Sequence, residues 1–106
     1  MTRTTQELAT ETMRLLGLLE AQEEASSEDA AHIIRAYDDK FEELQHREIA
    51  YWTSTAIPNL VFRSVARIMA EEVATSFGKE VPTEFVDGGR AVSMGEKGMH
   101  DLKRII

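Results

Sequence analysis

The sequence predicts an all-α domain, a small bundle of three to four helices, and three observations carry that prediction. Apolar residues recur at spacings of three and four in three separate stretches, the stripe of a helix with one buried face. Residues suited to cap a helix precede these stretches, and residues suited to end one follow them. Hydrophobic residues at 42% and charged residues at 29% make a globular composition rather than a disordered one. A chain of 106 residues has room for one domain, read as a helical core over 1–80 and a C-terminal helix or arm over 81–106.

The first helix is expected over about 4–18. Thr4-Thr5-Gln6-Glu7 has capping-box spacing, in which a Thr hydroxyl accepts from an early helical N–H while Glu7 reaches back. Leu8, Thr12, Leu15, Leu16 and Leu19 form its stripe, and Gly17 suits the left-handed position that ends a helix. The polar, acidic run 20–29 offers little to bury. Ser26 or Ser27, followed by Glu28 and Asp29, starts a second helix over 27–47. Ala30, Ile33, Ile34, Tyr37, Phe41 and Leu44 face inward on it; Arg35, Asp38, Asp39, Lys40, Glu42 and Glu43 face outward.

Residues 48–56 read as an extended connection packed by its aromatics. Pro58 opens a third helix over 57–77, since the first turn tolerates a missing N–H. Val61, Phe62, Val65, Ile68, Met69, Val73 and Phe77 give it the clearest period in the chain; Ala66, Ala70 and Ala74 admit close neighbours, and Gly78 ends it. A fourth helix is expected over 83–104, from a loose seven-residue period through Val81, Phe85, Val92, Met99, Leu102 and Ile105. Gly88, Gly89, Gly95 and Gly98 oppose it, each costing about 1 kcal/mol inside a helix. Either the glycines mark the close approach of another backbone, or the segment is an arm ordered by a partner. The expectation is a helix stable mainly in an assembly.

Function classes narrow by chemistry. With no cysteine, thiolate metal sites, disulfides and thiol nucleophiles drop out. Twelve Lys and Arg against nineteen Asp and Glu, a net charge of −7, argue against a free-standing nucleic-acid binder. No apolar run approaches the ~18–20 residues that span a bilayer, so no membrane association is expected. Glu43-x-x-His46 and Asp29-x-x-His32 have the spacing of di-iron bundle ligands, but both lie on one helix and the third helix offers no matching motif. Gly88-Gly89-Arg90 is too short for a phosphate loop, and His32, His46 and His100 stand apart. No catalytic residue, metal ligand or cofactor is expected.

Other residues point to partners. Residues 1–89 hold eight basic and seventeen acidic side chains, whereas 90–106 hold four and two. That makes an acidic body with a mildly basic end. Arg90, Lys97, Met99, Leu102, Lys103, Arg104, Ile105 and Ile106 form a candidate docking arm, because apolar residues beyond any local core are better buried on another chain. Tyr51 and Trp52 serve either as core or as a subunit interface, large aromatics being good anchors for both.

A capped first helix ending Leu15-Leu16-Gly17, an acidic second helix, Ile49 to Trp52, Ile57-Pro58, an alanine-bearing helix through Ala66 and Ala70, and a close at Phe77-Gly78-Lys79 come in that order. In this order and spacing the chain resembles the head–tail connector (adaptor) proteins of tailed bacteriophages and related virus-like particles. The likeness covers about 4–80, and more loosely the last helix. It implies a structural virion protein, made in the host cytoplasm and assembled as a homo-oligomeric, dodecameric ring in the neck below the portal. Such a ring extends the channel for double-stranded DNA and meets stopper or tail proteins. The C-terminal segment would reach the portal protein, matching the arm above. Asp38, Asp39, Glu42 and Glu43 would line the channel and repel passing phosphates. The glycines of 88–98 depart from the family's regular final helix. Two rivals remain: a small acidic helical binding module or inhibitor that mimics nucleic acid, and a carboxylate-bridged metal enzyme around Glu43 and His46.

Overall fold

A computed structural model describes residues 1–80, 85–87 and 89–105, with the side chains of 85–87 outside the description. Ile106, Val81, Pro82, Gly88 and the start of the helix expected at 83 therefore lie outside the described residues. The order is β1 (Thr2–Arg3), α1 (Thr5–Leu15), α2 (Ser27–His46), β2 (Ile57–Pro58), α3 (Asn59–Val73), a 3₁₀ turn (Thr75–Phe77), β3 (Phe85–Asp87), β4 (Arg90–Val92) and α4 (Met94–Ile105). The protein is mostly helical, with two short antiparallel pairs, β1–β2 and β3–β4, among the described residues.

Helix α1 begins as its sequence specifies. The Glu7 amide donates to Thr4 Oγ1 at 3.1 Å, and the Thr4 amide donates to Glu7 Oε1 at 3.0 Å. It ends in a Schellman motif: the Leu18 amide donates to Met13 O and the Gly17 amide to Arg14 O, with Gly17 at φ 74°. The acidic run that follows is stapled back onto α1. The Ala25 amide donates to Thr10 Oγ1 at 3.2 Å, and Arg14 Nη2 donates to Glu23 O at 3.0 Å. Ala25 is thereby buried, while the rest of 20–28 is exposed, in line with the expectation that this run buries little.

Helix α2 starts where Ser26 Oγ accepts from the Asp29 amide at 3.2 Å. It ends in the same hydrogen-bond pattern as α1, but with Glu48 rather than glycine in the left-handed position, at φ 61°. Within the connection 48–56, Ile49, Ala50 and Trp52 are buried while Tyr51 is 60% exposed.

Two boundaries depart from the sequence reading. Pro58 does not open the third helix; at φ −60°, ψ 140° it is the extended cap before Asn59. Ile57 and Pro58 pair with Arg3 and Thr2, so the N-terminus supplies a strand partner that no local pattern announces. The helix expected over 83–104 is the larger correction. Phe85–Asp87 and Arg90–Val92 form a hairpin with Asp87 opposite Arg90, and the helix begins only at Met94. Gly89, at φ 79°, lies in that turn, a backbone shape that suits a hairpin and breaks a helix.

Helix α3 is the centre of the molecule, packed by α1, α2 and α4. Val61, Val65, Ala66, Met69 and Ala70 on it are all at most 1% exposed. The most extensive pairing is with α4, which runs antiparallel to it: Gly95 lies by Glu71, whereas Gly98 lies by Ser64 and Ile68. Met94, Gly95, Gly98 and Leu102 form α4's buried face.

Candidate functional site

The residues singled out in the sequence fall into three groups, which the fold treats differently. The aromatic pair divides. Trp52 is buried and its indole N–H donates to the Tyr37 hydroxyl at 3.2 Å; Tyr37 in turn donates to Ser54 O at 2.8 Å. Trp52 thus belongs to the core and does not offer a subunit interface. Burial, the main cause, raises the pKa of the Tyr37 hydroxyl above its usual value, and it remains a neutral donor. Tyr51 lies edge-on to Trp52 at 5.4 Å and keeps most of its surface exposed.

The candidate arm divides as well. Leu102 is fully buried, and Met99 and Ile105 pack partly buried against the same core. These apolar side chains already have a local core to enter, which corrects their reading as a free docking arm. The cations stay at the surface. Lys97 Nζ and Arg104 Nη1 approach Asp101 Oδ1 at 3.1 and 3.3 Å, and Arg67 Nη1 reaches Oδ2 at 3.3 Å. One carboxylate therefore gathers three cations from two helices. Arg90 sits 3.7 Å from Glu96, and Lys103 is exposed. Ile106 lies outside the described residues.

The four carboxylates of α2 form the third group, and all are exposed. Asp39, Glu42, Glu43 and His46 line a shallow depression of about 330 Å³. Glu43 is tied to Lys40 Nζ at 3.1 Å and to Arg47 at 3.6 Å; the Lys40 hydrogen bond is the main reason its carboxyl titrates below the ordinary value. Asp38, Asp39 and Glu42 make no ion pair among the described residues. Their place in the C-terminal half of α2 gains nothing from the helix dipole, which favours cations there.

His46 lines that depression beside Asp39, Glu42 and Glu43, whereas His32 meets the edge of Phe77 at 5.6 Å. Among the described residues, no group of three or more His, Asp or Glu side chains is placed to hold a metal ion. No helix among them is long and apolar enough to cross a membrane.

A second groove, about 220 Å³, runs beside α1 between Arg3, Glu7, Arg14, Glu24 and Phe62. Both of its arginines are tied to the fold: Arg3 Nε donates to Asn59 Oδ1 at 2.9 Å while its guanidinium lies 4.9 Å from the Phe62 ring centre, and Arg14 Nη2 donates to Glu23 O.

Sequence reading missed two surface features. Leu60 is 68% exposed, with Arg63 exposed one turn later, because the α3 stripe drew attention to the opposite side. It also missed the start of α4, where Ser93 Oγ accepts from the Glu96 amide at 3.2 Å. The signal was present, since Ser93-Met94-Gly95-Glu96 has the same capping spacing as Thr4 to Glu7.

Comparison of the chain with protein-family models, with curated proteins and with solved structures finds no match. Function therefore rests on the surfaces just described.

Proposed function

We propose that the chain is a head–tail connector subunit, a structural virion protein that forms a ring below a portal and joins capsid to tail around passing DNA. The observation that carries this reading is that three landmarks of the resemblance sit at joints of the fold, while Ala66 and Ala70 lie on the buried face of α3. Leu16-Gly17 ends α1, Ile57-Pro58 leads from β2 directly into α3, and Phe77-Gly78 stops the turn after it. Glycine after a helix and proline before one are general signals, so the support lies in their order along the chain, which is that of the resemblance. Exposed Leu60 and Tyr51 suit a subunit whose surfaces are meant for other chains.

The apolar residues of α4 are taken up internally, so portal contact would fall to exposed groups such as Arg90 and Lys103. The test is whether a neighbouring gene encodes a portal protein and whether the chain co-assembles with it; a neighbourhood without a portal gene counts against the reading. Co-sedimentation with the portal ring in fixed stoichiometry supports the reading. No binding to that portal, together with a monomer that captures a basic protein, would favour the acidic-inhibitor reading instead.

A further inference from the structure

The α3–α4 surface and the outer face of α2 match each other in charge and cannot meet within one molecule. On α3, Leu60, Arg63 and Arg67 follow at spacings of three and four, one ridge of the helix. Lys97 and Arg104 of α4 continue that surface through their shared partner Asp101. Among the described residues it carries four cations, with Asp101 among three of them, Glu71 one turn beyond Arg67 and the exposed Leu60 at the other end. Arg63 makes no ion pair there.

The opposing face holds Asp38, Asp39 and Glu42, likewise without ion pairs among the described residues, with exposed Arg35 one turn before them as its single cation. Helix α2 meets α3 at Glu72, where Lys40 Nζ comes within 3.8 Å. Glu72 projects roughly 140° around α3 from Arg67, at about 100° per residue. The cationic ridge and the acidic helix therefore lie on different sides of the molecule.

We propose that the Leu60–Arg63–Arg67 ridge, with Lys97 and Arg104, docks on the Asp38–Asp39–Glu42 face of a second copy of this chain. This rests on the connector reading and says how its ring is joined. Two different patches meeting head to tail repeat from copy to copy and close into a ring when the rotation allows. Opposite charges select the register and speed encounter, while Leu60 supplies the apolar contact. These three carboxylates are then interface groups rather than channel wall.

The test is self-association of the full chain, followed by sedimentation and native mass spectrometry at low and high salt. Wild type is expected to form species larger than dimers that weaken as salt screens the contact. Arg63→Glu and Glu42→Lys alter exposed residues without ion pairs, so each variant should melt like wild type. Each alone should associate at least about tenfold more weakly. An equimolar mixture should recover assembly with the two variants alternating, since each reversed face meets its complement.

A wild type that stays monomeric at low salt overturns the proposal, as does either variant assembling normally or a mixture that fails to recover. A wild-type monomer that binds duplex DNA through Arg63 instead would assign the ridge to nucleic acid. Portal binding, measured separately, distinguishes the failures: if it persists in both variants while their self-association is unaffected, the connector reading stands and this pairing falls.

Discussion

A Cβ placed on Gly98 would stand 2.6 Å from the backbone carbonyl oxygen of Ser64. The neighbour is main chain, on the central helix, and cannot swing aside as a side chain would. Gly98→Ala adds helix propensity worth up to about 1 kcal/mol, yet it must push α4 off α3. We expect a net destabilisation of about 1–3 kcal/mol, read as a lower urea midpoint. A more stable variant would mean the two helices are not in this contact.

Glu48 offers the reverse case. It occupies the left-handed position after α2 that glycine occupies after α1. A residue with a Cβ pays roughly 1 kcal/mol there. Glu48→Gly should therefore raise stability by about 0.5–1 kcal/mol, visible as a higher melting temperature with unchanged helix content.

Tyr37 binds Ser54 O and receives the Trp52 indole N–H. Tyr37→Phe leaves both groups without that partner and should cost about 1–3 kcal/mol. Because burial raises the hydroxyl's pKa in the folded state, the folded chain holds this proton more tightly than the unfolded one. Stability from it is complete below the unfolded value near 10.0 and declines as pH rises toward the folded value. Denaturation across the alkaline range should show that decline in wild type and lose this component in Tyr37→Phe.

At acid pH the relevant groups are Glu7 and Glu43. The Thr4 amide lowers the pKa of Glu7, and Lys40 lowers that of Glu43. Depressed carboxyls stabilise the fold above their unfolded pKa, and that support is lost as pH falls through the folded value. Thr4→Ala removes the hydroxyl cap at a cost of about 1 kcal/mol. The acid limb of a stability profile should change in Glu7→Gln, which cannot titrate.

Leu102 decides between an arm and a core element. Leu102→Ala should cost about 2–5 kcal/mol in the isolated chain, measured by thermal or urea unfolding. An arm ordered only by a partner would show almost no change. Truncation before Met99 removes the same buried side chain and should lower helix content beyond the deleted residues.

The first two helices were legible in the sequence to within a turn, and so were the start of the third, the Thr4–Glu7 box and the Gly17 stop; the third helix ends at Val73 rather than 77, its last stretch being the 3₁₀ turn Thr75–Phe77. The outward-facing carboxylates of α2 were legible too, since inward and outward positions follow from the same period. The fate of 85–105 was not. A seven-residue apolar period fits Phe85, Val92 and Met99 as one helix, but Val92 belongs to a strand and Met99 to a helix. Leu102 looked like an exposed anchor because nothing nearby in sequence covers it.

What the sequence determined on its own is whatever depends on neighbours within a few residues: helix periods, caps, stops, and the charge each face would show. Tertiary structure alone decided that β2 pairs with the N-terminus, that Trp52 is core, and that Gly98 is a contact rather than a weakness. It also brought Arg67 of α3 onto Asp101, which Lys97 and Arg104 reach from within their own helix. The reason is physical: these outcomes turn on which surfaces α3 presents to segments dozens of residues away, and hydrogen bonding within a helix carries no information about what will pack against it.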